Sequence, residues 1–235
     1  MSRRAELAGA LERHGADGGR AEAIERVLDA LDAEPDPHTT VPAEAAVDVH
    51  VADSLAGLAV PALGEARTIA DLGAGAGFPG LVLAAALAHA RVDLIEASSR
   101  KAALIERLAE AGGLQNARAV AARAEDWAAG EGREAYDVVT ARAVAPLAVL
   151  VEYAAPLLRP GGVLIAWKGA REERQESAGA AAAALVGLRP ADVLPATPYP
   201  GSRNRHLHVF EKVTPTPARF PRRAGMASKR PLAGG

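Results

Sequence analysis

The sequence predicts an α/β protein with a doubly wound, mostly parallel sheet of seven strands that follows a set of N-terminal helices. Two observations carry this prediction. Short apolar runs alternate with helical segments between residues 68 and 186, and the first of these runs ends in a glycine-rich turn. Alternation at this spacing implies right-handed crossovers, which lay successive strands parallel in one sheet.

Three helices are predicted before the first strand. Apolar residues from Ile24 to Leu31 recur at i, i+3, i+4 and i+7 and form one stripe. Pro35 and Pro37 end this helical pattern. We therefore expect residues 1–60 to form a helical segment packed on the core, with helices at about 5–14, 21–31 and 44–58.

The core, residues 61–213, contains the predicted sheet. A turn is expected at 159–162, and the last two strands are expected to pair with each other. The segment 214–235 is rich in proline and glycine, so we expect it to form neither a helix nor a core and to be a flexible basic tail. The predicted strands are 69–72, 92–96, 117–121, 136–140, 163–167, 191–194 and 206–213, and the main helices between them are 80–89, 99–111, 146–157 and 172–186.

Length and composition exclude several classes of protein. A chain of 235 residues with 49% hydrophobic residues is long enough to bury a proper core. The absence of cysteine excludes disulfides and thiolate metal sites, and we assign no metal-binding residue. There is no uninterrupted apolar run of membrane-spanning length. These features predict a cytoplasmic protein that does not associate with membranes.

The glycine-rich turn after the first strand is typical of nucleotide-like cofactor sites, and two registers of it make sense. The run Asp71–Gly77 fits the acid-x-G-x-G-x-G pattern of S-adenosylmethionine (SAM) methyltransferases. The run Gly75–Gly80 fits the dinucleotide pattern G-x-G-x-x-G, with Glu96 placed to hold a ribose. A carboxylate at Asp71 would repel a pyrophosphate and attract an ammonium group, which favours SAM. An NAD-dependent oxidoreductase remains the alternative.

Polar residues follow the predicted strands at the edge where an open α/β sheet binds its ligand. Glu96 is placed to accept hydrogen bonds from two ribose hydroxyls, and Ala124 and Glu125 to contact an adenine. Arg142 is placed to meet a methionine carboxylate or an RNA phosphate. We interpret His50, taken alone, as a structural or surface residue and not as a catalytic one. The residues at this edge are Asp71, Glu96, Glu125, Arg142 and Lys168.

Seven motifs, in order between about residues 45 and 231, resemble those of the RsmG (GidB) family of small-subunit ribosomal RNA methyltransferases. The Phe-Pro-Gly that follows the glycines is more specific than the glycines themselves. Residues 37–41 depart from the family, which usually has Asn-Leu-Thr there, and so does the Met-Ala-Ser-Lys of the tail. The motifs are His50–Leu55, Asp71–Gly80, Glu96–Lys101, Arg123–Asp126, Thr140–Ala143, Lys168–Gly169 and Arg219–Gly225.

This resemblance implies a Rossmann-like SAM-methyltransferase fold and methylation of 16S ribosomal RNA at N7 of guanine 527. It also implies that SAM is bound at the positions of Gly73, Phe78, Ala124, Glu125 and Arg142. Together with the residues that the turn itself indicates, namely Asp71, Gly75, Gly77 and Glu96, these form the predicted cofactor site.

Guanine N7 carries a free lone pair, so the reaction requires no general base, and we assign no catalytic acid or base. The N7 edge is inaccessible in the deep groove of an RNA helix, which favours a loop or a flipped-out base as the target. Phe78 and Trp167 are the aromatic candidates for stacking on it, and the alternative for each is a place in the core. A non-catalytic RNA-binding protein is the third alternative.

The tail carries five bases and no acid from residue 213 onwards, although the whole chain has a net charge of −2. We expect the tail to order on RNA, with Phe220 as a stacking group, and its removal after Val213 to leave SAM affinity unchanged. The expected partner is 16S ribosomal RNA in a small-subunit particle, bound by a monomer. The predicted RNA contacts are Lys168, Arg219, Arg222, Arg223 and Lys229.

Overall fold

The computed structural model describes residues 2–232. A seven-stranded sheet runs through it in the order β3-β2-β1-β4-β5-β7-β6, and β7 is antiparallel to both of its neighbours. The predicted mostly parallel sheet, including the pairing of its last two strands, is confirmed. The strands are β1 (Thr68–Leu72), β2 (Arg91–Glu96), β3 (Ala117–Ala121), β4 (Tyr136–Arg142), β5 (Leu158–Lys168), β6 (Leu188–Ala196) and β7 (Arg205–Lys212).

Ten α-helices surround this sheet within the described residues, and none of them is long and apolar enough to cross a bilayer. The helices predicted at 5–14 and 21–31 are present within two residues of their predicted ends. The helices are α1 (Arg3–Arg13), α2 (Ala21–Ala33), α3 (Asp53–Leu55), α4 (Pro61–Glu65), α5 (Gly80–Ala86), α6 (Ser99–Gly112), α7 (Ala124–Ala128), α8 (Leu147–Ala154), α9 (Glu173–Val186) and α10 (Met226–Lys229).

The third predicted helix, at 44–58, is helical but not uniform. A 3-10 turn at Ala43–Ala45 is followed by π-helical residues Val47–Ala52, then by α3 and a second 3-10 turn at Ala56–Ala59. Irregular helix of this kind is frequent at functional sites. It places two polar residues of the segment, His50 and Asp53, in buried positions beside the sheet.

Alternate residues of the central strands supply two separate cores. Ile69 of β1 belongs to the core beneath α1, α2, α5 and α6, whereas Ala70 and Leu72 belong to the core beneath α8 and α9. Because both faces of the sheet are covered, the central strands β1 and β2 are buried at every residue after their first. Pro190 and Pro195 are tolerated in β6 because it is an edge strand.

Two expectations about irregular segments are wrong. Residues 159–162 were expected to form a turn, but they belong to β5, whose pairing with β4 is irregular between Tyr136 and Val138. The tail was expected to be flexible and free of helix, yet it forms α10 and buries Phe220 to 1% exposure in the core. Tertiary packing supplies the burial that the local sequence does not indicate. Residues 233–235 of the predicted tail lie outside the described residues.

Candidate functional site

Some of the predicted site residues line two neighbouring clefts at the carboxyl edge of the sheet, where the strand order reverses around β1. Ala143 lines one cleft and Val144 the other, so the loop after β4 separates the two. We call one the glutamate cleft, lined by Gly73, Glu96, Ala124, Glu125, Val144 and Tyr153. The other is the arginine cleft, lined by Asp53, Arg142, Trp167, Lys168, Arg205 and His206.

The turn after β1 can be made only with glycine at two of its positions. Gly73 has φ +62°, and a Cβ there would lie 2.9 Å from Cγ2 of Val144. Gly77 has φ +99°, and a Cβ there would lie 2.5 Å from Cδ1 of Leu81. Both positions combine a left-handed backbone with a close neighbour, so a side chain there would strain the backbone and displace Val144 or Leu81. Gly75, with φ +60°, completes the turn.

The amides of the turn are less available than the sequence indicates. Gly73 N donates to the carbonyl of Ile95 at 2.8 Å, Gly75 N to Glu96 at 3.0 Å and Gly77 N to the carbonyl of Ala74 at 2.7 Å. The glycines therefore shape the floor of the glutamate cleft, and the hydrogen-bonding groups of the cleft come mainly from the strands on either side.

Asp71 lies beneath the turn, fully buried, and not at the surface of the site. Its carboxylate accepts hydrogen bonds from Gly80 N at 2.9 Å and from Thr140 Oγ1 at 2.8 Å. This placement contradicts the predicted contact of Asp71 with a cofactor ammonium. Burial raises its pKa to about 6, although the hydrogen bonds from Thr140 and Gly80 and the charge of Arg142 oppose the rise. Asp71 fixes β1, β4 and the start of α5 relative to one another.

The position of Asp71 also bears on the choice between the two glycine registers. A dinucleotide would place its pyrophosphate at the N-terminus of the helix after the turn. At that point the Asp71 carboxylate already accepts from Gly80 N at 2.9 Å. A second anion there would be repelled by the first. The structure therefore disfavours the dinucleotide register.

Glu96 ends β2 with its carboxylate in the mouth of the glutamate cleft. The side chain accepts from Gly75 N at 3.0 Å and from Ser98 N at 2.8 Å, and the residue is 9% exposed. Each carboxylate oxygen has two lone-pair positions, so both can accept one further hydrogen bond. A rigid carboxylate with spare acceptor capacity suits a ribose diol, and the ribose contact of Glu96 stays a prediction.

Ala124 and Glu125 begin α7 on the opposite wall of the same cleft. Glu125 is 8% exposed, and its Oε1 accepts from Gly225 N of the C-terminal segment at 2.7 Å. Apolar side chains, including Val144, complete the walls. Apolar walls with carboxylates at two points fit a nucleoside, whose base is flat and whose ribose hydroxyls and exocyclic amino group can donate hydrogen bonds.

Arg142 ends β4 in the arginine cleft, on the other side of the loop. Its Nη1 donates to Asp53 Oδ2 and to the carbonyl of Val49, both at 2.9 Å. Trp167 Nε1 donates to the carbonyl of Asp53 at 2.8 Å, which fixes the irregular helix against β5. Arg142 lines the cleft, and its guanidinium has donors besides Nη1 that can meet an anion.

Lys168 lies in the same cleft and is tied to the loop that divides the site. Its Nζ donates to the carbonyl of Ala145 at 2.6 Å. Burial lowers the pKa of this half-buried amine below its usual range, although the charge of Glu172 opposes the change. Lys168 therefore holds the loop that carries Val144 over Gly73, a role that its position in the sequence does not reveal.

Both predicted stacking residues are buried. Phe78 and Trp167 are each 6% exposed, and Trp167 belongs to the core. The Phe78 ring is stacked on His50 with centroids 4.2 Å apart. Burial, with a smaller contribution from Arg142, lowers the pKa of His50 to about 4, so this imidazole is neutral at physiological pH. The interpretation of His50 as structural agrees with this packing.

The predicted RNA contacts of the C-terminal segment divide into two groups. Arg219, Arg223 and Lys229 are exposed. Arg222 makes a bidentate ion pair with the buried Glu152, with both distances 2.6 Å. This pairing contradicts the predicted RNA contact of Arg222, because its charge is already neutralised inside the protein. Phe220, predicted to stack on RNA, is buried.

Sequence reasoning missed Arg205 and His206, which β7 brings into the arginine cleft. Arg205 Nε lies 3.4 Å from Asp53 Oδ1 and, within the described residues, is buried without a hydrogen-bond partner. Since β7 runs antiparallel to β5, its first residues lie at the ligand-binding edge, where the last residues of the parallel strands lie. The adjacent bases at the start of that strand were the available signal.

Comparison with known proteins relates this geometry to one family. A family model described as rRNA small subunit methyltransferase G matches residues 40–198. The Ribosomal RNA small subunit methyltransferase G of Rubrobacter xylanophilus is 44% identical over 190 residues, covering 79% of this chain and 73% of that protein. The protein of the same name from Deinococcus radiodurans is 43% identical over 185 residues, covering 78% and 73%.

A solved structure of fibrillarin from Aeropyrum pernix is similar in fold. It has a TM-score of 0.52 at 20% identity and covers 68% of this chain and 72% of that chain. The family match spans more than half of the chain, and the relatives are well above 30% identity over most of their length. The chain belongs to the rRNA small subunit methyltransferase G family.

Proposed function

We propose that the protein transfers a methyl group from SAM to N7 of guanine 527 in 16S ribosomal RNA. One observation carries the proposal beyond family membership: a cleft suited to a nucleoside lies beside a cleft rich in cations, with Ala143 and Val144 between them. A methyltransferase acting on RNA needs both, one for the cofactor and one for a nucleotide with its phosphate.

The glutamate cleft is the proposed cofactor site. SAM supplies a methyl group on a positively charged sulfur. Glu96 would accept from the ribose hydroxyls, while Ala124 and Glu125 would contact the adenine. Arg142 lies in the neighbouring arginine cleft, so the methionine carboxylate would have to extend past the loop that carries Ala143 and Val144 to meet the donors that Asp53 does not use. Phe78 would contribute to cofactor binding through its packing beside the glycine turn.

The arginine cleft is the proposed site of the target nucleotide. Arg142, Lys168, Arg205 and His206 face one acid there, Asp53. This excess of basic over acidic side chains would attract the RNA backbone. The bound backbone would then hold the guanine at a fixed distance from the cofactor. The N7 lone pair attacks without losing a proton, so these residues orient the base and remove no proton from it.

The remaining parts of the proposal concern the setting of the reaction. We infer that a monomer acts in the cytoplasm, and that 16S RNA within a small-subunit particle is the substrate. The exposed bases Arg219, Arg223 and Lys229 would contact phosphates outside the clefts.

The test uses purified protein, tritiated SAM and a strain that lacks the corresponding methyltransferase. Small-subunit particles and naked 16S RNA from that strain are incubated separately with enzyme and labelled cofactor. We expect label in the RNA of the particles, and more of it than in naked RNA. If RNA binds but neither substrate gains label, the non-catalytic hypothesis is the correct one. Equal labelling of both would contradict the particle as the preferred substrate.

A further inference from the structure

We propose that the C-terminal segment Thr216–Arg230 is part of the cofactor site and couples RNA binding to cofactor affinity. The inference rests on the proposed function, since it takes SAM and an RNA backbone as the two ligands. It reverses the expectation from sequence that removing the tail leaves SAM affinity unchanged.

The segment is anchored to the body at its beginning and middle. Thr216 Oγ1 donates to the carbonyl of Ala155 at 3.0 Å, and Phe220 is buried at 1% exposure. Arg222 Nε and Nη2 each donate to one oxygen of the Glu152 carboxylate at 2.6 Å. Glu152 is 3% exposed, so this pair is the main polar anchor of the segment and orients the residues that follow it.

Beyond the anchor, the segment contacts two residues that line the glutamate cleft. Gly225 N donates to Glu125 Oε1 at 2.7 Å, from a backbone with φ +80° that favours glycine. Ser228 Oγ lies 2.9 Å from the Tyr153 hydroxyl. Glu125 and Tyr153 therefore have their orientation fixed by a segment distant in sequence. Undocking the segment would free one wall of the cofactor site.

The outer face of the segment is cationic. Arg219, Arg223, Lys229 and Arg230 are exposed, and none lies within 4 Å of an acidic oxygen in the described residues 2–232. Free cations along an extended segment fit closely spaced phosphates, which identifies the partner as a nucleic acid backbone. Arg222 differs from these four because its guanidinium is paired with the carboxylate of Glu152.

One segment therefore has an inner face on the cofactor cleft and an outer face for phosphates. RNA that binds the outer face in the docked arrangement also stabilises the orientation of Glu125 and Tyr153. By linkage, cofactor and RNA must then strengthen each other's binding by the same factor. Apposition of the two faces gives an enzyme that holds its cofactor best when the substrate is present.

Calorimetry of full-length protein tests the coupling, with SAM titrated in the absence and presence of a 16S RNA fragment that contains position 527. For the wild type we expect the RNA to tighten SAM binding by about fivefold or more. Arg222→Gln should weaken SAM binding about tenfold without RNA and abolish the effect of RNA. Ser228→Ala, at an exposed site, should give a smaller loss in the same direction. Arg107→Gln removes another bidentate pair, with Glu34, and should change neither quantity.

Thermal unfolding of each variant shows whether it is folded, and Ser228→Ala keeps the test informative if Arg222→Gln is not. If the wild type and the folded variants Ser228→Ala and Arg222→Gln all bind SAM with the same affinity, and RNA changes none of these affinities, the coupling is wrong and the proposed function is unaffected. Wild-type protein that does not bind SAM would overturn the proposed function as well.

Discussion

At the scale of single residues, Glu96 is the most direct test of the glutamate cleft. Glu96→Ala removes the proposed ribose acceptor and also the partner of Gly75 N and Ser98 N. Losing hydrogen bonds to a charged acceptor costs roughly 1.5–3 kcal/mol, about tenfold to a hundredfold in SAM affinity. Glu106→Ala, on the exposed side of α6, is the matched control. Calorimetry that gives the same affinity for both variants would contradict the assignment.

Asp71 gives a prediction about stability. Its pKa is raised from 3.8 to about 6 in the folded protein, so between these values the folded state retains a proton that the unfolded chain releases. The contribution of Asp71 to the free energy of unfolding is fully present below pH 3.8 and is lost as the pH rises through about 6. The free energy of unfolding of Asp71→Asn, relative to wild type, should rise by at most about 3 kcal/mol between pH 4 and pH 7. Urea unfolding at both pH values measures it, and a constant difference would refute the prediction.

Sequence reasoning at this scale located residues better than it assigned their roles. Gly73, Glu96, Ala124 and Glu125 were placed correctly at one cleft because strand ends determine where they lie. The direct ligand contact assigned to Asp71 was wrong because burial depends on what packs around a residue, and spacing does not show that.

At the scale of elements, the loop after β4 and its tie to Lys168 make a second prediction. Lys168→Met removes the hydrogen bond to the carbonyl of Ala145 and frees the loop that carries Val144 over Gly73. We expect SAM affinity measured without RNA to fall, by about tenfold, because a bond from a charged donor is lost. Unchanged SAM affinity combined with weaker RNA binding would show that Lys168 acts on RNA alone.

The C-terminal segment shows why some elements are hard to predict. Its composition is typical of a flexible tail, and its order comes from partners more than 60 residues away, such as Glu152. The strands are different, since their buried apolar runs are visible in the sequence itself. Local patterns predicted the sheet well, and long-range ion pairs had no local signature.

At the scale of the whole molecule, the sheet order places β1 between β2 and β4 and so creates the crevice that the site occupies. The alternation of strands and helices was enough to predict this crevice, because right-handed crossovers leave few other arrangements. The division into two clefts was not predictable, since it depends on Val144 and on the antiparallel β7.

The central claim is methyl transfer to N7 of guanine 527, and one measurement addresses that atom. Two reconstituted small-subunit particles are compared, one with guanine at position 527 of its 16S RNA and one with 7-deazaguanine, which has carbon in place of N7. Enzyme and labelled SAM are added to each, and the modified nucleotide is mapped. We predict label at position 527 with guanine and no label there with 7-deazaguanine. Equal label on both particles, or label at another nucleotide, would contradict the account.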